Sequence, residues 1–147
     1  MPVDFVRGDL LASAAHVLVI PVNCEGVAGR GLALECRRRY PGWFEEYREQ
    51  CAMGSLALGT PVLARAREGR MFLNFPTKHH WRFPSHLACI EEGLQYLLAS
   101  VGPWHGSEKV VAFPKLGCGA CGLSWDEVCP LMERHLSQLS CLSLIYL

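Results

Sequence analysis

Short apolar runs, each followed by a polar or glycine-rich segment, predict the strands of this chain. Residues 16–22 are apolar and mostly β-branched, as expected for a strand buried on both faces. Pro21 lacks an amide hydrogen, so we place the end of that strand there. Further strands are predicted at residues 3–6, 61–66, 70–73, 109–113 and 142–147.

Apolar positions spaced three and four residues apart predict helices between these strands. Residues 32–40 and 43–50 have this spacing. Ser85 is the expected N-cap of a longer helix and Ser124 that of the last helix, with a Gly/Pro linker at residues 101–107 between those two helices. The recurrence of strand, glycine loop and helix predicts one domain over residues 1–147, a three-layer α/β/α sandwich around a mixed central sheet.

The densest group of reactive side chains follows the apolar run at residues 71–73. Pro76 is expected to stop regular strand pairing, which predicts a loop at residues 74–82. This loop carries Lys78, His79, His80, Trp81 and Arg82. Loops on a rigid scaffold commonly carry function, and a solvated basic loop anchored by its tryptophan is the alternative.

Two glycine-rich segments each run from a predicted strand into a predicted helix. We name residues 23–31 the first glycine loop and residues 114–123 the second glycine loop. Glycine permits a positive φ and a close approach of backbone N–H groups to a ligand, while the helix N-terminus adds its positive dipole end. A diphosphate can be held in this way. Neither loop matches a P-loop or the strict dinucleotide fingerprint, and simple tight turns are the alternative.

Composition narrows the remaining classes of function. Acidic and basic residues number 14 each, so only a local basic patch could attract nucleic acid. No apolar run approaches the ~20 residues of a bilayer span and no secretory pattern opens the chain, so we expect a cytoplasmic protein without membrane contact. The eight cysteines then indicate reduced thiols. A zinc or redox site at the C-x-x-C of residues 118–121 is the minor alternative, and we expect neither metal nor cofactor.

In their order along the chain, four segments resemble those of the macrodomain family: residues 8–10, 17–23, 29–33 and 114–119. Residues 23–41, 74–82 and 117–125 resemble more narrowly the DarG branch, whose macrodomain removes ADP-ribose from DNA bases. That branch is related to the vertebrate terminal ADP-ribose glycohydrolase, and the Asn-Phe-Pro-Thr-Lys-x-His-Trp-Arg string is specific. The resemblance implies an ADP-ribosyl glycohydrolase that acts on single-stranded DNA.

The resemblance also implies roles for individual residues. Lys78 matches the family's catalytic lysine. Asp9 would accept from the adenine amino group and Asn23 would contact the distal ribose. The implied ADP-ribose-binding residues are Asp9, Leu10, Asn23, Gly29, Arg30, Gly31, Leu32, Thr77, Gly117, Cys118, Gly119, Ala120, Cys121, Gly122 and Leu123. His79, His80, Trp81 and Arg82 would form a basic, aromatic rim for a DNA base, or would only pack and pair locally.

One departure from the family bears on mechanism. The vertebrate relative pairs its lysine with an aspartate in the second glycine loop, at about the place where this sequence has Cys121. Lys78 could attack the anomeric carbon as an amine or stabilise the departing base as a cation. A reader of ADP-ribose without turnover and a hydrolase of ADP-ribosylated protein carboxylates are the alternatives. A DarT-type toxin is a candidate counterpart, and a monomer is expected.

Overall fold

The computed structural model describes residues 2–80, 82–100, 105–106, 108–119 and 122–147. Trp81, Ala120, Cys121 and most of the predicted linker at residues 101–107 lie outside the described residues. The strands are β1 (Val3–Val6), β2 (Val17–Asn23), β3 (Val62–Arg65), β4 (Met71–Lys78), β5 (Val110–Phe113) and β6 (Leu142–Tyr146). The helices are α1 (Gly31–Arg39), α2 (Pro41–Ala52), α3 (Leu87–Ala99) and α4 (Trp125–Leu136), with a 3-10 turn at Leu10–Ala12.

These strands form one mixed sheet in the order β1-β6-β5-β2-β4-β3. The pairs β1–β6, β6–β5, β5–β2 and β2–β4 are parallel, while β3 and β4 form an antiparallel hairpin. Successive residues of β2 face opposite sides: Val17 and Val19 pack with α3 and α4, and Leu18 and Ile20 pack with α1 and α2. The predicted three-layer sandwich is confirmed.

Two prolines lie inside strands, against the sequence-based prediction. β2 continues two residues past Pro21 and β4 continues two residues past Pro76, so the predicted strand end and the start of the predicted loop at 74–82 are wrong. β5 pairs only with the first two residues of β2, and β3 pairs with β4 only as far as Asn74. Each proline therefore lies beyond the end of one neighbouring strand, where a missing N–H donor is tolerated.

Of the two predicted helix N-caps, one is confirmed and one is wrong. Ser124 caps α4 as predicted, because its Oγ accepts from the N–H of Asp126 at 3.2 Å. Ser85 does not cap α3: His86 occupies the N-cap position, and the Ser85 Oγ is buried without a hydrogen-bond partner in the described part of the chain. α2 begins at Pro41, a residue whose fixed φ suits the first turn of a helix. No described helix has the length and apolar character needed to cross a membrane.

A series of buried side-chain hydrogen bonds fixes β4 against α2. The indole N–H of Trp43 donates to Asn74 Oδ1 at 2.7 Å, and Asn74 Nδ2 donates to Gln50 Oε1 at 2.9 Å. Gln50 Nε2 in turn donates to the Leu63 carbonyl at 2.9 Å. Because buried polar groups are costly unless paired, these hydrogen bonds favour one position of β4 and therefore of Lys78 at its end.

Candidate functional site

A cleft of about 740 Å³ opens where the carboxyl ends of the parallel strands meet. Crevices at this edge, where neighbouring connections leave in opposite directions, are the usual ligand sites of α/β sheets. Most of the predicted site residues whose positions are described line it. They are Asp9, Leu10, Asn23, Gly29, Arg30, Gly31, Leu32, Thr77, Lys78, Cys118 and Gly119.

Among the described residues, three predicted ADP-ribose contacts do not line the cleft, namely Gly117, Gly122 and Leu123. Gly117 and Leu123 instead close the second glycine loop, since the Leu123 N–H donates to the Gly117 carbonyl at 2.9 Å. A Cβ on Gly117 would lie 2.6 Å from the Leu123 side chain, whereas a Cβ on Gly119 would meet no atom of the described residues within 4 Å. Both glycines have a positive φ, near +70°. Gly117 and Gly122 therefore shape the loop, and Gly119 faces open space; Ala120 and Cys121 are not described.

Asn23 holds the first glycine loop in shape. Its Oδ1 accepts from the Glu25 N–H at 2.9 Å and from the Tyr47 hydroxyl at 2.7 Å, and its Nδ2 donates to the Val27 carbonyl at 2.8 Å. Burial raises the pKa of Tyr47, which keeps its hydroxyl a donor. Asn23 thus has a structural function in addition to its place in the cleft, and its contact with a ribose stays a prediction.

Lys78 ends β4 and lines the cleft next to the buried Thr77. Every acidic residue belongs to the described part of the chain, and none of them forms an ion pair with Lys78. Asp9 is the only acidic residue among the described ones that line the cleft, while Asp126 is exposed on α4. No carboxylate that the structure describes therefore shares a proton with Lys78 by direct pairing.

The backbone and His80 tie the residues after Lys78 to the first glycine loop. The Cys24 N–H donates to the His79 carbonyl at 3.1 Å, and His80 Nε2 lies 3.2 Å from Glu25 Oε1. His80 Nδ1 accepts from the Arg82 N–H at 3.0 Å, so the ring proton resides on Nε2 and is donated to Glu25. None of His79, His80 and Arg82 lines the cleft, and their contact with DNA stays a prediction.

Asp9 is held by a residue that the sequence analysis did not assign to the site. Its Oδ1 accepts from the Leu11 N–H at 3.1 Å, and its Oδ2 accepts from the Arg39 guanidinium. The hydrogen bond from Arg39 is the main cause that lowers the pKa of Asp9, so the carboxylate stays ionised and can accept a further donor. That this donor is the adenine amino group stays a prediction.

Several cleft residues were missed by the sequence analysis. They are Gly8, Pro21, Val22, Val27, Ala28, Ala33, Pro114, Lys115, Tyr146 and Leu147. Pro114 and Lys115 belong to a segment that the resemblance covers. Their position next to the predicted contacts at residues 117–123 was the signal that could have identified them. Tyr146 and Leu147 join the cleft because β6 lies between β1 and β5, an order that no local pattern reveals.

The described cysteines are free thiols. Burial is the main cause that raises the pKa of Cys24, in the first glycine loop, to about 11. Its thiol is therefore neutral near pH 7 and is a poor nucleophile. Cys36, in α1, is fully buried and packs as a small apolar side chain.

Comparison with known proteins agrees with this geometry. The family model described as Macro domain matches residues 19–132. The DNA ADP-ribosyl glycohydrolases of Mycobacterium tuberculosis and Thermus aquaticus are 39% and 36% identical over 93% and 92% of this chain. The chain spans only 39% and 38% of the length of these two relatives.

Solved structures of similar proteins agree with the match to this family model. The macrodomain of Mycobacterium tuberculosis DarG has a TM-score of 0.88 at 36% identity, with 98% of this chain and 96% of that chain covered. The structure of Thermosipho africanus DarTG in complex with ADP-ribose has a TM-score of 0.87 at 32% identity, covering 99% of this chain and 41% of that chain. The chain therefore belongs to the macrodomain family. The predicted resemblance to the DarG branch is confirmed.

Proposed function

We propose that this macrodomain is an ADP-ribosyl glycohydrolase that removes ADP-ribose from modified DNA bases. Its relatives named DNA ADP-ribosyl glycohydrolase and the DarTG relative solved with ADP-ribose support this proposal. The observation that carries it is the position of Lys78, which lines the cleft that both glycine loops also line.

The start of α1 suits the diphosphate of ADP-ribose. Arg30 occupies the N-cap position without a side-chain cap bond, and Gly31, Leu32 and Ala33 of the first turn line the cleft. The first N–H groups of a helix have no acceptor within the helix, so they are available to an anion. Gly119 leaves room on the side of the second glycine loop. This arrangement binds a diphosphate with backbone groups, in keeping with the balanced charge of the chain.

Lys78 would act on the bond between the distal ribose and the base. As a cation it would stabilise negative charge on the departing base, while water adds its hydroxyl to the anomeric carbon and its proton ends on the base. As an amine it would attack the same carbon and displace the base, which takes up the proton lost by the new ammonium group. Water would then hydrolyse the bond between lysine and ribose, releasing ADP-ribose and the free amine. The absence of an ion-paired carboxylate in the described structure favours the first form, since no side-chain base is placed to take the lysine proton.

The test uses single-stranded DNA modified by a DarT-type transferase, which we propose as the enzyme that supplies the substrate. This counterpart follows the Thermosipho africanus relative, named as a fusion of transferase and glycohydrolase. We expect wild-type protein to release ADP-ribose and Lys78→Ala to bind ADP-ribose without release. As the control, Arg134→Ala removes a surface cation that does not line the cleft, and we expect it to keep the reaction. Release by Lys78→Ala at the wild-type rate would contradict the assignment.

A reader module is the second candidate, and the unpaired state of Lys78 in the described structure favours it. In that case wild-type protein binds ADP-ribose and releases nothing from modified DNA. A parallel reaction with ADP-ribosylated protein carboxylates separates a reader from a hydrolase of another substrate. For either function we propose that the protein acts in the cytoplasm. We also propose that it is a monomer, and gel filtration with light scattering measures its oligomeric state.

A further inference from the structure

A second hollow, of about 430 Å³, lies at the opposite edge of the sheet from the cleft. Its lining comes from the amino ends of β2, β4 and β5 and from the end of the antiparallel β3. We name it the basic hollow after Arg65, Arg70 and Lys109, which line it together with His16. Arg70 directly precedes β4 and Lys78 ends it, so at about 3.3 Å per residue the two lie ~26 Å apart.

The positive charge of the basic hollow is not neutralised by the protein. All acidic residues are described, and none forms an ion pair with Arg65, Arg70 or Lys109. Among the described residues, Arg38, Arg39, Arg67 and Arg134 pair with a carboxylate, whereas other basic residues such as Arg7 and Arg48 do not, so the basic hollow is distinguished by the grouping of its cations. In a chain with 14 acidic and 14 basic residues, this grouping of unpaired cations is a local feature that suits an anion.

Arg70 supplies a donor that the protein leaves without an acceptor. Its Nη2 donates to the carbonyls of Ser13 and Ala15, both at 3.1 Å, which holds the guanidinium in place. Its Nε is buried and has no hydrogen-bond partner among the described residues. An unsatisfied buried donor destabilises the folded state, and an oxygen anion that reaches it would remove that cost.

His16 adds a donor of defined orientation. Its Nδ1 accepts from the Val110 N–H at 3.0 Å, so the ring proton resides on Nε2. The basic hollow thus combines a held guanidinium, a second arginine, a lysine and an imidazole N–H. Arginine forks match the oxygens of phosphate, and lysine adds a point charge.

We propose that the basic hollow binds a backbone phosphate of single-stranded DNA, outside the cleft that takes ADP-ribose. The choice of DNA as the source of the phosphate rests on the proposed function. At the B-form rise of about 3.4 Å per nucleotide, ~26 Å corresponds to about 8 nucleotides. A strand stacked as in the B form would need more than that number of nucleotides to reach the basic hollow from the cleft, and an extended strand would need fewer.

The experiment measures the binding of an unmodified oligonucleotide of about 20 nucleotides by fluorescence anisotropy over a range of salt concentrations. Arg65→Gln/Lys109→Gln removes two cations of the basic hollow, and Arg38→Gln/Arg134→Gln removes two ion-paired cations elsewhere. Each neutralised phosphate contributes about 0.7 to the slope of log Kd against log salt for a single strand, so we expect the first variant, which loses one phosphate, to lose about 0.7 of that slope. The control variant keeps it.

Two further measurements separate the outcomes. Calorimetry should give the same ADP-ribose affinity for the hollow variant and the wild type, because the cleft is unchanged. Equal salt slopes for both variants and the wild type would overturn the proposal. Binding of inorganic phosphate that the hollow variant loses, with DNA binding unaffected, would overturn DNA as the source. Because unmodified DNA needs no hydrolysis, failure here is distinct from failure of the proposed activity.

Discussion

Gly93 in α3 packs directly against β4, the strand that ends at Lys78. A Cβ at residue 93 would lie 2.4 Å from Cζ and 2.8 Å from Cε1 of the Phe75 ring. Phe75 is fully buried, so the ring cannot turn into solvent. Contact of two carbons requires about 3.5 Å, so Gly93→Ala must displace the ring or the helix by about 1 Å.

The size of the effect follows from two opposing terms. Alanine is favoured over glycine in a helix by about 1 kcal/mol, while overpacking of a dense core costs about 1–3 kcal/mol. The 2.4 Å approach places this site at the upper end, so we expect Gly93→Ala to lower the free energy of unfolding by about 2 kcal/mol. We also expect slower release of ADP-ribose, because Phe75 and Lys78 belong to the same strand.

Urea unfolding followed by tryptophan fluorescence measures the first effect. Phe75→Leu alone and the double variant Gly93→Ala/Phe75→Leu complete a double-mutant cycle. The smaller side chain should relieve the clash, so the double variant should be more stable than the sum of the two single effects predicts. Unchanged or increased stability of Gly93→Ala, or strict additivity in the cycle, would refute the packing argument.

The other predictions concern two residues that line the cleft, Gly119 and Asp9. Gly119→Glu places a carboxylate where the second glycine loop is open, and we expect at least a tenfold loss of ADP-ribose affinity; undiminished affinity in calorimetry would disprove the position of this loop. For Asp9, whose pKa is lowered mainly by Arg39, the stabilisation is present above the unfolded-state pKa of about 3.9 and is lost as the pH falls through the lower folded-state value. Urea midpoints of wild type and Asp9→Asn should therefore differ near pH 6 and converge as the pH falls through the lowered folded-state pKa of Asp9; a constant difference would exclude the ionised pair as its cause.

Local patterns in the sequence determined much of this protein. The apolar run of β2, the helical spacing of α3 and the cap at Ser124 depend on interactions within a few residues, and all are present in the structure. The two glycine loops and Lys78 were likewise recognisable as motifs, since a turn with positive φ or a reactive amine is visible in the residue type itself.

Tertiary structure decided the remaining features of the fold and the site, because these features depend on which strands become neighbours. Pro21 and Pro76 remain within strands only because β5 and β3 stop pairing before them. Tyr146 reaches the cleft because β6 inserts between β1 and β5, and Arg39 becomes part of the site only through Asp9, 30 positions away. The basic hollow likewise gathers cations from separate strand ends. Spacing along the chain reports burial and local turns, whereas the sheet order that brings these side chains together is set by the packing of the whole domain.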